Sequence, residues 1–438
     1  MVFLGGEHFP TCGSLFAFHD ALTRQIDGVQ AARALLKRGG RITFPPALGE
    51  PDLVADLPEL VGNAEAELLL PYRTRRAPLE GFGPSVKVRA LFGSSRIDPL
   101  GYAPILYGRL PGLIARGGLL EVDVALVRVS PPDANGLHNV GPSASISGDL
   151  IRSARAVIAE IDPDLPRTRG DTLVPGSLLT VKVDARRPLE LPSDEGPMSS
   201  SGTAEALGDN LASLVQDGAV LQIGIGSALH GCIHGLRRLR GLRVVSGLLS
   251  NSIQDLLESD AVDAAWAPVV GEAIGPASLM KFIDRNEKLR FESGRVIHNP
   301  LKLARFEKLV TINSAIQVDL LGRIACEGFS NRLVAGVGGL IDFLMGGHLA
   351  PGGCNVIALP SLSSSGQSRI VARLPSEQVS VPPYLIDYIV TEWGVADMRV
   401  ATRKEAASRL TEIAHPNSRA SLSAEFAELA AATSRSSQ

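Results

Sequence analysis

Apolar runs of four to eight residues alternate along this chain with stretches whose apolar residues recur at helical spacing. In the first half the runs Arg41–Phe44, Ala66–Leu70, Val86–Phe92, Val122–Val129 and Ala156–Ile161 predict strands. In the second half Val220–Ile223, Leu242–Val245, Leu309–Ile312, Asn355–Leu359 and Ile386–Val390 do the same. Helical spacing predicts helices over Val29–Lys37, Asp52–Leu60, Leu211–Gln216 and Ala228–Leu239. Strands that are apolar throughout, rather than on alternate residues, belong in parallel sheets covered on both faces. The pattern therefore predicts an α/β fold, with ligands expected beyond the carboxyl ends of the strands.

Both halves open alike, with a helix, a glycine stop (Gly39-Gly40, then Gly218), a strand and a further helix, as in a duplicated fold. Between them Leu191–Gly202 is rich in Pro, Ser and Gly without apolar periodicity, and reads as a linker. The expected units are residues 1–190 and 203–438, joined by residues 191–202. A length of 438 residues agrees with two cores rather than one.

Composition narrows the function classes. Hydrophobic residues make up 45 %, charged residues 20 % and aromatics 5 %, the profile of a soluble chain with an aliphatic core. A net charge of −3 gives no electrostatic case for nucleic acid or an anionic membrane as partner. Four scattered cysteines (Cys12, Cys232, Cys326 and Cys354) fit neither a disulfide framework nor a zinc ribbon. No apolar stretch is long enough to span a bilayer and the N-terminus lacks a secretion signal, so the cytoplasm is the expected compartment.

Two glycine corners carry the candidate chemistry. Gln222-Ile-Gly-Ile-Gly-Ser-Ala228 joins a strand to a helix, where bare backbone N–H groups and the helix N-terminus can meet an anion. It lacks the third glycine of a dinucleotide fingerprint, since Leu229 stands there, and the lysine of a P-loop. Ala335-Gly-Val-Gly-Gly-Leu-Ile-Asp-Phe343 is the second corner, followed by a helix expected to reach Met345. Adjacent Gly338 and Gly339 can present successive N–H groups as an oxyanion hole. Each corner reads equally as a close-packed turn, and Ser130–Gly136 is either turn chemistry or a substrate-facing loop. His230 and His234 share a helical face near Cys232 but lack further ligands at sensible spacing, so packing is expected and no metal. Signatures of serine, zinc or cysteine hydrolases are absent.

Together these segments resemble the acetyl-CoA hydrolase/transferase family, which includes acetate- and 4-hydroxybutyrate-type CoA-transferases. The likeness runs from about Leu35 to Leu422. It rests on Val122–Gly136, Ile158–Asp171, Gln222–Ala228, Asn313–Leu320, Gly336–Phe343, Asn355–Pro360, Asp387–Ala396 and Ile413–Pro416, in that order. The resemblance implies two similar CoA-transferase-type α/β domains with the site in the cleft between them, and a homodimer. It implies CoA contacts at Gly224, Ile225, Gly226, Ser227 and Ala228, with Gly336, Val337, Gly338 and Gly339 at the thioester end. Coenzyme A thioester is then substrate, with a carboxylate as possible acceptor, and no permanently bound cofactor is expected.

In the family's transferases a glutamate attacks the acyl-CoA, because that chemistry needs one group to be nucleophile and leaving group in turn. The column of that glutamate holds Gly247, within Val245-Ser-Gly-Leu248. The usual glutamate after Asn-Ser-Ala-Ile is Gln317, and Ser363–Gln367 stands where lysines are often found. The expected activity is therefore thioester hydrolysis or acyl transfer without a glutamyl-CoA intermediate, with Gly247 leaving room for water or a bulkier acyl group. Glu327 is the expected general base, or else a structural carboxylate; Glu392 resembles a framework residue. The alternatives are hydrolysis within the acyl portion of a CoA ester, such as ring opening, and acyl-CoA binding without catalysis.

Overall fold

The apolar run ending in Val129 lies near the middle of a six-stranded sheet, where both faces are covered. In the computed structural model, which describes residues 28–72, 77–186, 191, 201–224, 226–329 and 332–436, this sheet contains strands β1 (Gly40–Thr43), β2 (Ala66–Leu70), β3 (Val86–Ala90), β4 (Val124–Val129), β5 (Ala156–Ile161) and β6 (Val181–Asp184). Its order is β3-β2-β1-β4-β5-β6, every pair parallel. The second sheet has eight strands: β7 (Val220–Ile223), β8 (Arg243–Leu249), β9 (Val269–Ala273), β10 (Arg290–Phe291), β11 (Leu309–Asn313), β12 (Cys354–Ala358), β13 (Tyr388–Thr391) and β14 (Gly394–Asp397). Its order is β10-β9-β8-β7-β11-β12-β13-β14, parallel except for the final β13–β14 hairpin. The order reverses direction beside β1 in one sheet and beside β7 in the other, and such switch points open crevices at the carboxyl edge.

Several boundaries differ from expectation for identifiable reasons. Asp52–Leu60 forms a 3-10 turn, Asp52–Asp56, and then a short helix, Leu57–Val61, with Pro58 in its first turn. The helix expected over Leu211–Gln216 instead spans Ser201–Ala212, beginning inside the stretch read as linker. Residues 192–200 of that stretch lie outside the described residues. The helix after the second corner runs past Met345 to Leu349.

One apolar core continues through both halves, joining Leu69, Val127 and Ile146 of the first to Leu221, Val244 and Phe291 of the second. Backbone also crosses between them. Phe291 N–H donates to the Arg169 carbonyl at 2.6 Å and Asp171 N–H donates to the Phe291 carbonyl at 2.8 Å. A methyl carbon on Gly170 would stand 2.0 Å from the Phe291 carbonyl oxygen, so only glycine fits this seam. Deeper in the first half Arg128, 1 % exposed, meets Asp52 at 3.2 Å, Glu160 at 3.0 Å and Asp162 at 3.2 Å. Glu160 also accepts the Asp52 N–H at 2.9 Å, tying the turn after β1 to the middle of the sheet.

Candidate functional site

The carboxyl edge of the second sheet faces the first half. Gly224 and Gly226 follow β7, Gly247 lies near the end of β8, and Glu272 lies near the end of β9. In the first corner a methyl carbon on Gly224 would come within 2.5 Å of Asn313 Oδ1, and Gly226 has φ 146°, so both positions exclude larger residues. Asn313 is held by Gln222, to whose Oε1 it donates at 2.9 Å. Helix Ser227–Leu236 starts directly afterwards, its N-terminal N–H groups at the sheet edge. Ile225 lies outside the described residues, as do the side chains of Ser227 and Ala228.

The second corner lies where the two halves meet. A methyl carbon on Gly93 would be 2.2 Å from the Ala335 carbonyl oxygen, and one on Gly336 would be 2.7 Å from Gly93 N. The loop after β3 and the corner thus approach backbone to backbone. Gly338, at φ 58°, faces Phe92 and Tyr107. Gly339 caps helix Leu340–Leu349 and lies flat against His298: a methyl carbon there would be 2.3 Å from its Nδ1 and Cε1.

Gly247 sits between the two corners. Ser246, beside it, donates to the Ile223 carbonyl at 2.7 Å, just before the first corner. A methyl carbon on Gly247 would lie 3.2 Å from Phe343 Cζ and 3.4 Å from His298 Cε1. The expectation of open room at Gly247 is therefore corrected. Two rings close over the glycine, and a side chain there needs them to give by a few tenths of an ångström.

Those rings belong to a cluster drawn from both halves. His298 and Phe343 have centroids 5.0 Å apart, His298 and Tyr107 5.7 Å, Tyr107 and Phe92 6.3 Å, and Tyr107 and Tyr72 4.6 Å. Offset and edge-to-face contacts of this kind are favourable beyond their burial. Asp342, in the first turn after the corner, accepts the Gly108 N–H at 2.9 Å; burial raises its carboxyl to about 6.

His298 and Glu272 join Tyr107 and Asp342 among the ionisable groups here that are more than nine-tenths buried. His298 is 6 % exposed and burial lowers its pKa to about 4. Glu272 is 7 % exposed and burial raises its pKa to about 8, against the lowering effect of Ser143 and Ser145. Its Oε1 accepts from the Ser145 N–H at 3.2 Å and from the Ser145 hydroxyl, at the start of helix Ala144–Ser153 of the other half. Tyr72 Oη lies 3.3 Å from that hydroxyl. Burial first, and the Glu272 charge second, push the Tyr72 phenol upward.

These shifts set the pH range of stability. Glu272 holds its proton more tightly folded than unfolded, where about 4.5 applies, so its contribution is lost as pH rises from 4.5 through 8. His298 binds a proton less readily folded than at its ordinary 6.5, so its contribution is lost as pH falls from 6.5 through 4. Between pH 4.5 and 6.5 the two trends offset each other, so urea midpoints should be highest in that range and decline from 6.5 through 8. Glu272→Gln, which cannot ionise, should remove part of the alkaline decline; an equal decline in the variant would show that Glu272 does not cause it.

Glu327 stands on the outer side of the second corner. Tyr102 of the first half donates to its Oε1 at 2.6 Å, and Ser380 donates to its Oε2 at 2.9 Å. Its own carbonyl accepts from Val334 at 2.8 Å and Ala335 at 3.0 Å, bracing the strand that leads into Gly336. Both carboxylate oxygens of Glu327 are thus engaged by hydroxyl donors. Glu392 accepts the Ser361 N–H at 2.8 Å and its hydroxyl at 2.5 Å. Gln317 opens a short strand, Gln317–Asp319, and Ser363–Gln367 is a tight turn closed by Ser363 N–H to the Gln367 carbonyl at 2.8 Å. Ser130–Gly136 is also turn chemistry: Asp133 Oδ1 accepts from Asn135 and Leu137 N–H groups, both at 2.9 Å.

His298 and Glu272 were not singled out by sequence reasoning. His298 follows a four-residue helix, Gly294–Ile297, in a segment without strong periodicity. Glu272 lies in a strand masked by its own polar residue and by Gly271. A carboxylate set in the short apolar stretch between two helices was the available signal.

The chain matches the N-terminal domain model of acetyl-CoA hydrolase/transferase over residues 94–189 and the C-terminal domain model over residues 275–426. It is 32 % identical over 418 residues to 4-hydroxybutyrate coenzyme A transferase of Clostridium kluyveri, covering 91 % of this chain and 96 % of that protein. It is 30 % identical to succinyl-CoA:cyclohexane-1-carboxylate CoA transferase of Geobacter metallireducens, covering 89 % of this chain and 92 % of the relative. Among solved structures, RipA from Yersinia pestis superposes with a TM-score of 0.81 at 22 % identity, over 94 % of this chain and 99 % of that one, which bears on the fold alone. The 4-hydroxybutyrate CoA-transferase of Porphyromonas gingivalis superposes with a TM-score of 0.73 at 25 % identity, over 92 % and 96 %. Two sheets meeting at paired glycine corners, with both domain models matched in order, make this chain a member of the acetyl-CoA hydrolase/transferase family.

Proposed function

We propose that this enzyme cleaves an acyl-CoA thioester, or transfers its acyl group, by direct attack of water or an acceptor rather than through a glutamyl-CoA intermediate. One observation carries this reading: Gly247, which the family resemblance matches to the nucleophilic glutamate, is a glycine enclosed by Phe343 and His298. A carboxylate absent from that position cannot form the acyl anhydride on which ping-pong transfer depends. Gly338 and Gly339 supply the complementary part. Their N–H groups would hold the carbonyl oxygen as it gains charge, and a donor of this kind typically contributes about 3 kcal/mol to a transition state.

Coenzyme A would enter along the first corner, with Gly224, Ile225, Gly226, Ser227 and Ala228 against the pantetheine and phosphates, and Gly336 and Val337 beside the thioester. Glu327 would hold this second corner through Tyr102. The test is a panel of acetyl-, butyryl-, succinyl- and 4-hydroxybutyryl-CoA, assayed for free thiol and by mass spectrometry with and without added carboxylates. Thiol release, or exchange without a hydroxylamine-sensitive enzyme adduct, is expected. A covalent glutamyl-CoA species would overturn the direct-attack mechanism. A CoA ester of altered mass with no thiol released would place the reaction in the acyl portion instead.

A further inference from the structure

We propose that His298 and Glu272 form an acid–base couple in place of the absent glutamate, His298 Nδ1 accepting a proton from the attacking water and the Glu272 carboxyl giving one to the departing sulfur. The assignment rests on the thioester-cleavage reading above and adds the groups that move protons in it.

Geometry supports the pair. The imidazole edge bearing Nδ1 lies against Gly339, in the proposed oxyanion corner, and its Cε1 is beside Gly247. His298 therefore stands between the corner and the place the glutamate would have occupied. Glu272 comes from β9, next to the strand that carries Gly247, and its strand partner in β8 is Leu248. Tyr107 connects the two groups: its ring is 5.7 Å from that of His298 and 4.6 Å from that of Tyr72, whose Oη lies 3.3 Å from the Ser145 hydroxyl that donates to Glu272. A second link runs through Gly294, where a methyl carbon would be 3.1 Å from the Ser145 carbonyl oxygen and 3.8 Å from His298 Cδ2.

Each group also has a buried polar atom that no hydrogen bond reaches among the described residues: His298 Nδ1 and Glu272 Oε2. Ser143 lies beside the Glu272 carboxyl, but its hydroxyl donates to the Pro46 carbonyl at 3.1 Å. Buried polar atoms are nearly always satisfied, so each of these calls for an ordered water, a ligand or a reaction that uses it. Burial also sets the protonation states the roles require. With His298 lowered to about 4 and Glu272 raised to about 8, the imidazole is free to accept and the carboxyl still carries its proton near neutrality. The other ionisable groups around the pair are Tyr72, Tyr107, Asp342, and Asp149 with its partner Arg295 at 2.7 Å.

The reaction balances. Water gives a proton to Nδ1 while its oxygen bonds to the thioester carbon, and the carbonyl π pair moves onto the oxygen held by Gly338 and Gly339. That pair returns, the C–S bond breaks, and the sulfur takes the Glu272 proton. The products are a carboxylic acid and the CoA thiol. The imidazolium proton then returns to the Glu272 carboxylate through water that enters as the products leave, restoring both groups.

Glu272→Gln and His298→Ala test the proposal, with affinity measured for a CoA thioether that cannot be cleaved. The amide oxygen introduced by Glu272→Gln would still accept from Ser145, so a purely structural Glu272 predicts no loss. We expect each variant to bind the thioether as the wild type does and to lose at least ~100-fold in kcat. Wild-type kcat should fall above pH 8, and Glu272→Gln should lack that limb. Added imidazole should raise the rate of His298→Ala. Wild-type turnover in either folded variant, a retained alkaline limb in Glu272→Gln, or no response of folded His298→Ala to imidazole would overturn the couple. Should His298→Ala fail to fold, Glu272→Gln decides alone. A wild type that neither binds the thioether nor cleaves any thioester would overturn the functional reading and the couple together; a wild type that does both while the variants match it would overturn only the couple.

Discussion

Arg128→Met should lower the stability of the folded chain by about 3–5 kcal/mol, the usual cost of removing one partner from a buried ion cluster. Arg128 is the hub of its network: Asp52, Glu160 and Asp162 all turn toward its guanidinium from within the first half. Methionine fills a similar space but leaves three carboxylates facing one another in a region almost without solvent. Burial already pushes the Glu160 and Asp162 carboxyls upward, and the Arg128 charge opposes that shift. Without it they must take up protons or draw water in. The measurement is the urea midpoint of Arg128→Met against wild type. An unchanged midpoint would mean that the cluster is dispensable and that the turn after β1 is held by other contacts.

Gly339→Ala should abolish most turnover while sparing the fold. The added methyl would stand 2.3 Å from two atoms of His298 and 3.1 Å from Phe343 Cε2, so both rings must move. The N–H of residue 339 would shift with them, and misplacing an oxyanion donor typically costs about 100- to 1,000-fold in kcat. Gly112→Ala is the control, since nothing lies within 4 Å of a methyl carbon at Gly112. Thiol release from an acyl-CoA, together with the melting temperature of each variant, separates damage at the corner from damage to the fold. Normal turnover by Gly339→Ala would remove the second corner from the reacting centre.

Much of the scaffold was legible because long apolar runs cannot be placed elsewhere. Val122–Val129 and Ala156–Ile161 read as strands and pair in the first sheet over Val124–Val129 and Ala156–Ile161. The strands missed were short or broken by polar residues: Val181–Asp184 alternates, Arg290–Phe291 has two residues, and Val269–Ala273 contains Gly271 and Glu272. Leu211, Leu214 and Val215 have helical spacing, yet the chain leaves the helix after Ala212 and continues in tight turns, Leu214 N–H donating to the Leu211 carbonyl at 3.1 Å. Spacing alone does not separate these outcomes.

The site was legible where glycine does the work. A bare strand end followed by a helix is visible in sequence, and both corners lie at the carboxyl edge. The rings and acids around them were not visible, because Tyr72, Tyr107, Glu272, His298 and Phe343 come from separate elements and meet only once the two halves dock. Glu327 illustrates the reverse: its nearness to the second corner along the chain was informative, but its side chain points to Tyr102 and Ser380.

The seam at Gly170 and Phe291 has an implication for descent. Main chain from each half hydrogen-bonds the other there, and a few elements away the second half's Glu272 accepts from the first half's Ser145. A genetic crossover that imported a foreign amino-terminal half would have to carry a compatible glycine, serine and tyrosines in one event. The halves of this lineage are thus bound to be inherited as a unit, and changes on one side of the seam should be matched by changes on the other.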